Sequence, residues 1–131
     1  MSIAPCSPTS DPSIAVLVVD DDAAVRNALK FALESEGFQV GTYENASALL
    51  VETEPPGPSC LVLDYRMPSI DGLQLFEMLR DRGWNVPTIL ITAHANGQLR
   101  RTAEQLGIDR VLEKPLSNGD LADEIRQLLE T

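Results

Sequence analysis

The sequence predicts an α/β domain built on a five-stranded parallel sheet with five alternating helices, doubly wound so that helices cover both faces. Three observations lead there. Short apolar runs rich in Val, Ile and Leu, such as Ile14–Val19 and Cys60–Leu63, are too brief for helices and suit strands buried on both faces. Between them lie stretches whose apolar residues recur with helical spacing. The runs also end on polar residues: Asp20, Asp21 and Asp22 after the first, Asp64 after the second. In open α/β sheets that strand edge is where ligands bind.

The elements follow in order. After Asp22, Val25, Ala28, Leu29, Ala32 and Leu33 form the stripe of an amphipathic helix, which Gly37 can terminate. Phe38–Tyr43 reads as a second strand, and Asn45 as the cap of a helix carrying Ala46, Leu49 and Leu50, before Pro55-Pro56-Gly57-Pro58 imposes a loop. The strand ending at Asp64 leads into a loop, 66–72, punctuated by Pro68 and Gly72. A helix with Leu73, Phe76, Met78 and Leu79 follows, to about Arg82. Pro87 permits a fourth strand, Thr88–Thr92. Leu99, Ala103 and Leu106 mark a weaker helix ending at Gly107, and Val111-Leu112 a short fifth strand. For the last helix, Ser117-x-x-Asp120 reads as a capping box and Leu121, Ile125, Leu128 and Leu129 as the buried face.

A chain of 131 residues with 44% apolar content can bury a core as one domain, read here as 14–131. Residues 1–13, with Pro5, Pro8, Pro12 and no basic residue, read as a flexible tail rather than a secretory or transit signal. No apolar run is long enough to span a bilayer. Cys6 and Cys60 have neither metal nor redox spacing, and suggest a reducing, cytoplasmic setting. A net charge of −10 opposes direct binding to nucleic acid.

Asp20, Asp21, Asp64, Thr92 and Lys114 all follow strands, so a parallel sheet brings them to one edge. Carboxylates converging there repel one another unless a cation joins them, and a hard divalent ion is the usual partner. This set, together with Met67-Pro68, Asp71-Gly72 and Lys114-Pro115, resembles the receiver domain of two-component response regulators over nearly the whole chain from Ile14. The resemblance implies a flavodoxin-like fold, with Asp64 as nucleophile and phosphoacceptor. It also implies Mg²⁺ held by Asp64, Asp21 and the backbone carbonyl of Arg66, with Asp20 acting mainly through water. Lys114 and the Thr92 hydroxyl would hold the phosphoryl oxygens, and Lys114-Pro115 would be cis. Arg66 and His94 would flank the phosphoryl group and tune its lifetime. Val111 stands where the family commonly carries an aromatic ring that swings as the threonine moves, so the Thr92–Val111 switch position departs from the usual pattern.

Singly, each residue has a plainer explanation. Asp20 or Asp21 alone would cap a helix, Thr92 would serve β propensity, and Lys114, Arg66 and His94 would be solvated polarity. Asp22 reads first as an N-cap or first-turn charge, and second as a helper at the metal site. Trp84 reads as loop packing and Met67 as a loop anchor.

The expected function is a single-domain response regulator that takes a phosphoryl group from a sensor histidine kinase or phosphotransfer protein, or from a small acyl phosphate. It would not be an enzyme acting on an external substrate. The first-helix surface near Val25 and Arg26 would dock the kinase. Output would run through a downstream protein target, or a phosphorylation-dependent homodimer, at the fourth helix, fifth strand and fifth helix, with no nucleic-acid or membrane contact. Two alternatives stay open: a receiver fragment of a hybrid histidine kinase or of a DNA-binding transcription regulator, and a Mg²⁺-dependent aspartyl phosphohydrolase. The second is disfavoured because Arg66 occupies the place, two residues after Asp64, where such enzymes usually carry an acid/base Asp.

Overall fold

The computed structural model describes residues 14–52, 55, 59–116 and 119–130. Its elements alternate as expected: β1 (Ala15–Val19), α1 (Ala23–Ser35), β2 (Gln39–Tyr43), α2 (Ala46–Leu50), β3 (Ser59–Asp64), α3 (Gly72–Asp81), β4 (Thr88–Thr92), α4 (Gly97–Leu106), β5 (Arg110–Glu113) and α5 (Asp120–Glu130). All pairings are parallel, in the order β2-β1-β3-β4-β5. The three inner strands are almost wholly buried, whereas β2 and β5, at the edges, are only partly so. This explains why the inner strands read as continuous apolar runs and the edge strands were weaker signals.

Side chains alternate across the sheet and make two cores. Leu17, Val19, Leu61, Leu63 and Leu90 meet Leu49 of α2, Leu75, Phe76 and Leu79 of α3, and Leu99 and Ala103 of α4. On the other face Val16, Val18, Val62, Ile89 and Ile91 meet Leu33 of α1 and Leu121, Ala122 and Ile125 of α5. Burying one such Leu or Ile contributes about 1.5–3 kcal/mol, and strands and helices supply this burial together.

Local signals set the helix ends. Asp22 caps α1 by accepting from the amides of Ala24 and Val25, and Asn45 caps α2 through the amide of Ala48. Gly37, at φ +96°, lets the chain leave α1 in a conformation that L side chains resist. The expected face of α3 needs correction. Leu75 is buried and Met78 is 40% exposed, because Leu75, Phe76 and Leu79 form the i, i+1, i+4 group that meets the sheet while Met78 lies off that stripe. The observed capping box joins Asp71 to Gln74 at the start of α3. Ser117 and the tail 1–13 lie outside the described residues. Trp84 is buried in the α3 core and Met67 packs against that core, as the packing readings expected. Among the described residues no helix is long and apolar enough to cross a membrane.

Candidate functional site

Strand register builds the site. Val19 pairs with Leu63, so Asp20 and the last residue of β3, Asp64, leave the sheet at the same level. Asp64 pairs with Ile91 and Thr92 with Glu113, which puts Thr92 one step and Lys114 two steps further along the same edge. The order β2-β1-β3 reverses direction at β1, and the crevice there is where α/β sheets bind ligands.

One carboxylate oxygen from each of Asp20, Asp21 and Asp64 lies within 4.8 Å of the others. Asp20 is fully buried, Asp64 is 5% exposed and Asp21 faces solvent. Lys114 reaches between the two buried acids, its Nζ 3.2 Å from Asp20 Oδ2 and 3.3 Å from Asp64 Oδ1. The Lys114-Pro115 peptide is cis, as the resemblance implied. Asp20 also accepts at Oδ1 from the amide of Asp22, 2.9 Å away, while Arg26 Nη1 donates to the Asp20 carbonyl at 2.9 Å. The strand end is thus held from both sides. Asp22 itself caps α1 and its side chain is not part of the carboxylate cluster, so its first reading stands.

Burial lifts the Asp64 carboxyl from its usual 3.8 to about 6; Asp20 adds to the rise, Lys114 opposes it and Asp21 adds a smaller push. Burial pulls Lys114 down, but Asp20 and Asp64 together outweigh it and hold the ammonium above its ordinary value. Three carboxylates against one lysine leave the pocket with surplus negative charge. That donor set fits a hard divalent cation: the oxygens are converging, one acid is solvent-facing, and Asp64 gains most from added positive charge.

The loop after β3 is held close. A Cβ on Gly72 would stand 2.7 Å from the Asp64 carbonyl oxygen and 2.7 Å from Leu90 Cδ1, so only glycine lets α3 begin against the end of β3. Ser69 has φ 76° in a turn closed by the Ile70 amide on the Pro68 carbonyl at 2.9 Å, a γ-turn geometry that stores strain beside the site.

The remaining expected residues lie to one side. Thr92 is buried, and its Oγ1 is 3.3 Å from the amide of His94 and 3.4 Å from the His94 carbonyl. Arg66 and His94 are exposed and line one cleft of about 340 Å³ with Tyr65, Asn96 and Leu99. Val111 is half-buried against the α3/α4 core. Sequence reasoning placed Lys114 on the phosphoryl group alone and gave Arg26 only a docking role. A carboxylate ending a buried strand, as Asp20 does, was the available sign that an internal cation must accompany it.

Comparison with known proteins agrees with this geometry. The family described as "Response regulator receiver domain" matches residues 16–126. The chain is 39% identical over 117 residues to the transcriptional regulatory protein FixJ of Azorhizobium caulinodans, covering 89% of this chain and 56% of that protein. It is 38% identical to the transcriptional regulatory protein TdiR of Thauera aromatica over 87% of this chain and 50% of the relative. It therefore spans about half the length of these curated relatives. Among solved structures, FixJ-N superposes with a TM-score of 0.82 at 32% identity, over 91% of this chain and 95% of the other. A CheY-like receiver from Methanospirillum hungatei gives 0.81 at 27% identity, over 91% and 95% of the two chains.

Proposed function

The chain belongs to the response regulator receiver domain family, and from that premise we propose that it accepts a phosphoryl group on Asp64 from a sensor histidine kinase or phosphotransfer protein. The observation that carries this reading is the buried Asp20–Lys114–Asp64 bridge beside a third, exposed carboxylate. Lys114 holds the attacking carboxylate in place and offers positive charge to the incoming phosphoryl oxygens. An oxygen of Asp64 bonds to phosphorus, the bond from phosphorus to the donor's imidazole nitrogen breaks, and the electron pair returns to that nitrogen. With an acyl phosphate the pair leaves on the carboxylate oxygen. Asp64, with its carboxyl at about 6, is mostly ionised at neutral pH and needs no separate base.

Asp21, Asp64 and the Arg66 carbonyl would hold Mg²⁺, with Asp20 mainly through water. Mg²⁺, when bound, supplies the charge that lets a carboxylate approach a phosphoryl anion. Thr92 then turns its hydroxyl from the His94 backbone to the phosphoryl oxygens, while Arg66 and His94 govern the approach of water. No turnover of an external substrate is assigned, and the setting is cytoplasmic. The output is a protein contact on the α4–β5–α5 side. The receiver part of a transcription regulator is the second reading, favoured by relatives with that printed role, of which this chain spans about half.

Intact-mass spectrometry after incubation with acetyl phosphate and Mg²⁺ tests the chemistry. One added phosphoryl mass, absent from Asp64→Asn and lost with EDTA, is expected. No gain in a brief quenched reaction would overturn the assignment.

A further inference from the structure

The helix that follows Thr92 in the chain is α4, and different groups hold its two ends. At the C-terminal end, Gly107 has φ +106°, and the Arg80 guanidinium fills the place a Cβ would take, 2.7 Å from that position, while lying 4.8 Å from the centroid of the Phe76 ring. Ala103 and Ile108 are buried there. A cation against a helix C-terminus is also favoured by the helix dipole. This end is an anchor.

At the N-terminal end Asn96 caps the helix through the Leu99 amide and Leu99 is buried, while one exposed side chain reaches from the helix to both of its neighbours. Arg100 Nε donates to the Ala95 carbonyl at 3.4 Å, and Arg100 Nη1 donates to the Val111 carbonyl at 3.1 Å. A single guanidinium therefore ties the β4–α4 loop to β5. The same loop holds Thr92, through the paired contacts of its Oγ1 with the His94 amide and carbonyl at 3.3 and 3.4 Å. Ala95 is the next residue. Turning the Thr92 hydroxyl toward Asp64 removes those contacts, and the longer of the two Arg100 bonds lies in the segment that must move.

We infer that Arg100 is the positioning residue that couples Thr92 to the α4–β5 surface, as a clasp that holds the β4–α4 loop against β5 in the unphosphorylated protein and opens when Thr92 turns away. This rests on the proposed phosphoryl acceptance at Asp64 and names how that event is read. Val111 takes part through its backbone carbonyl, so the device needs no aromatic ring at that position. Opening frees the guanidinium beside Glu104, Asp109 and Arg110, which line the same shallow cleft of about 280 Å³. The charge pattern of the output side then changes while α4 stays anchored at Gly107.

Amide hydrogen exchange on the full chain tests the clasp, using wild type, Arg100→Ala and Arg100→Lys, with melting temperatures as a control for folding. Without phosphodonor, Arg100→Ala is expected to speed exchange in both 93–99 and 110–113 by about three- to tenfold, the scale of one or two exposed hydrogen bonds. Arg100→Lys, whose ammonium reaches only one carbonyl, restores protection in one segment. Wild type given acetyl phosphate and Mg²⁺ is expected to show the same two segments loosened together, with phosphoryl uptake by Arg100→Ala unchanged. Wild-type protection in either segment of unphosphorylated Arg100→Ala would overturn the clasp, as would phosphorylated wild type with neither segment altered. Failure of wild type to gain phosphoryl mass would instead overturn the acceptor assignment, and the comparison without phosphodonor would still decide the clasp.

Discussion

The two halves of the strand edge differ in how firmly they are held. On the acceptor side, Asp20 and Asp64 are buried, bridged by Lys114 at 3.2 and 3.3 Å, and backed by bonds of 2.9 Å from the Asp22 amide and Arg26. On the relay side, Thr92 and Arg100 make contacts of 3.1 to 3.4 Å, and the two of Arg100 are exposed. The chemistry needs a preorganised carboxylate, whereas a reporter needs an element with two arrangements of similar energy. Ion pairs between buried carboxylates and a lysine serve the first, and bonds to neutral backbone groups, those of Arg100 exposed, the second.

Lys114→Met breaks the acceptor side most severely. It leaves Asp20 fully buried with no cation, and is expected to cost about 3 kcal/mol in urea unfolding. It should also abolish phosphoryl uptake.

Asp64→Asn acts on the same bridge with the opposite sign. A carboxyl raised from 3.8 to about 6 takes up protons more readily folded than unfolded, so stability falls as pH rises through that window and stays lower above it. Removing the charge is expected to stabilise the metal-free protein by on the order of 2–3 kcal/mol above pH 6, with no gain below pH 4. An unchanged unfolding midpoint at pH 7.5 would refute the account of a carboxylate raised by burial. For wild type, Mg²⁺ should raise the melting temperature at pH 7.5 and do so less as pH falls below about 6, where protons compete at Asp64.

Gly72→Ala tests whether the close start of α3 positions Asp64. The added carbon meets the Asp64 carbonyl at 2.7 Å, backbone that cannot yield cheaply, so a loss of about 1–3 kcal/mol and slower phosphoryl uptake are expected. Uptake at the wild-type rate would show that this loop does not govern the acceptor.

Thr92→Val sharpens the contrast from the relay side. Thr92 is as buried as Asp64, yet its hydroxyl makes only long contacts, so stability should change by less than about 1 kcal/mol. Phosphoryl mass should still appear on Asp64, while the exchange response of 93–99 is lost. A loss matching that of Lys114→Met would erase the distinction between the halves.

Much of this was legible from local patterns. The inner strands announced themselves because burial on both faces forces an unbroken apolar run, and Asp22 and Asn45 as caps because those side chains satisfy nearby amides. Met78 misled because an apolar residue beside a buried stripe looks like part of it until the crossing of α3 over the sheet is known. The Asp71–Gln74 capping box went unread because it straddles the boundary between the segment read as loop, 66–72, and the helix read after it.

Periodicity and strand-end chemistry by themselves determined the alternation of elements and the gathering of Asp20, Asp21, Asp64, Thr92 and Lys114 on one edge, because both depend on residues near in sequence and on the common direction of parallel strands. Tertiary structure alone decided that Lys114 would serve Asp20 as well as Asp64, that Arg26 would hold the Asp20 carbonyl, and that Arg100 would join Ala95 to Val111. Those pairings depend on ångström distances between side chains and backbone atoms, up to 94 residues apart along the chain, and only packing sets such distances.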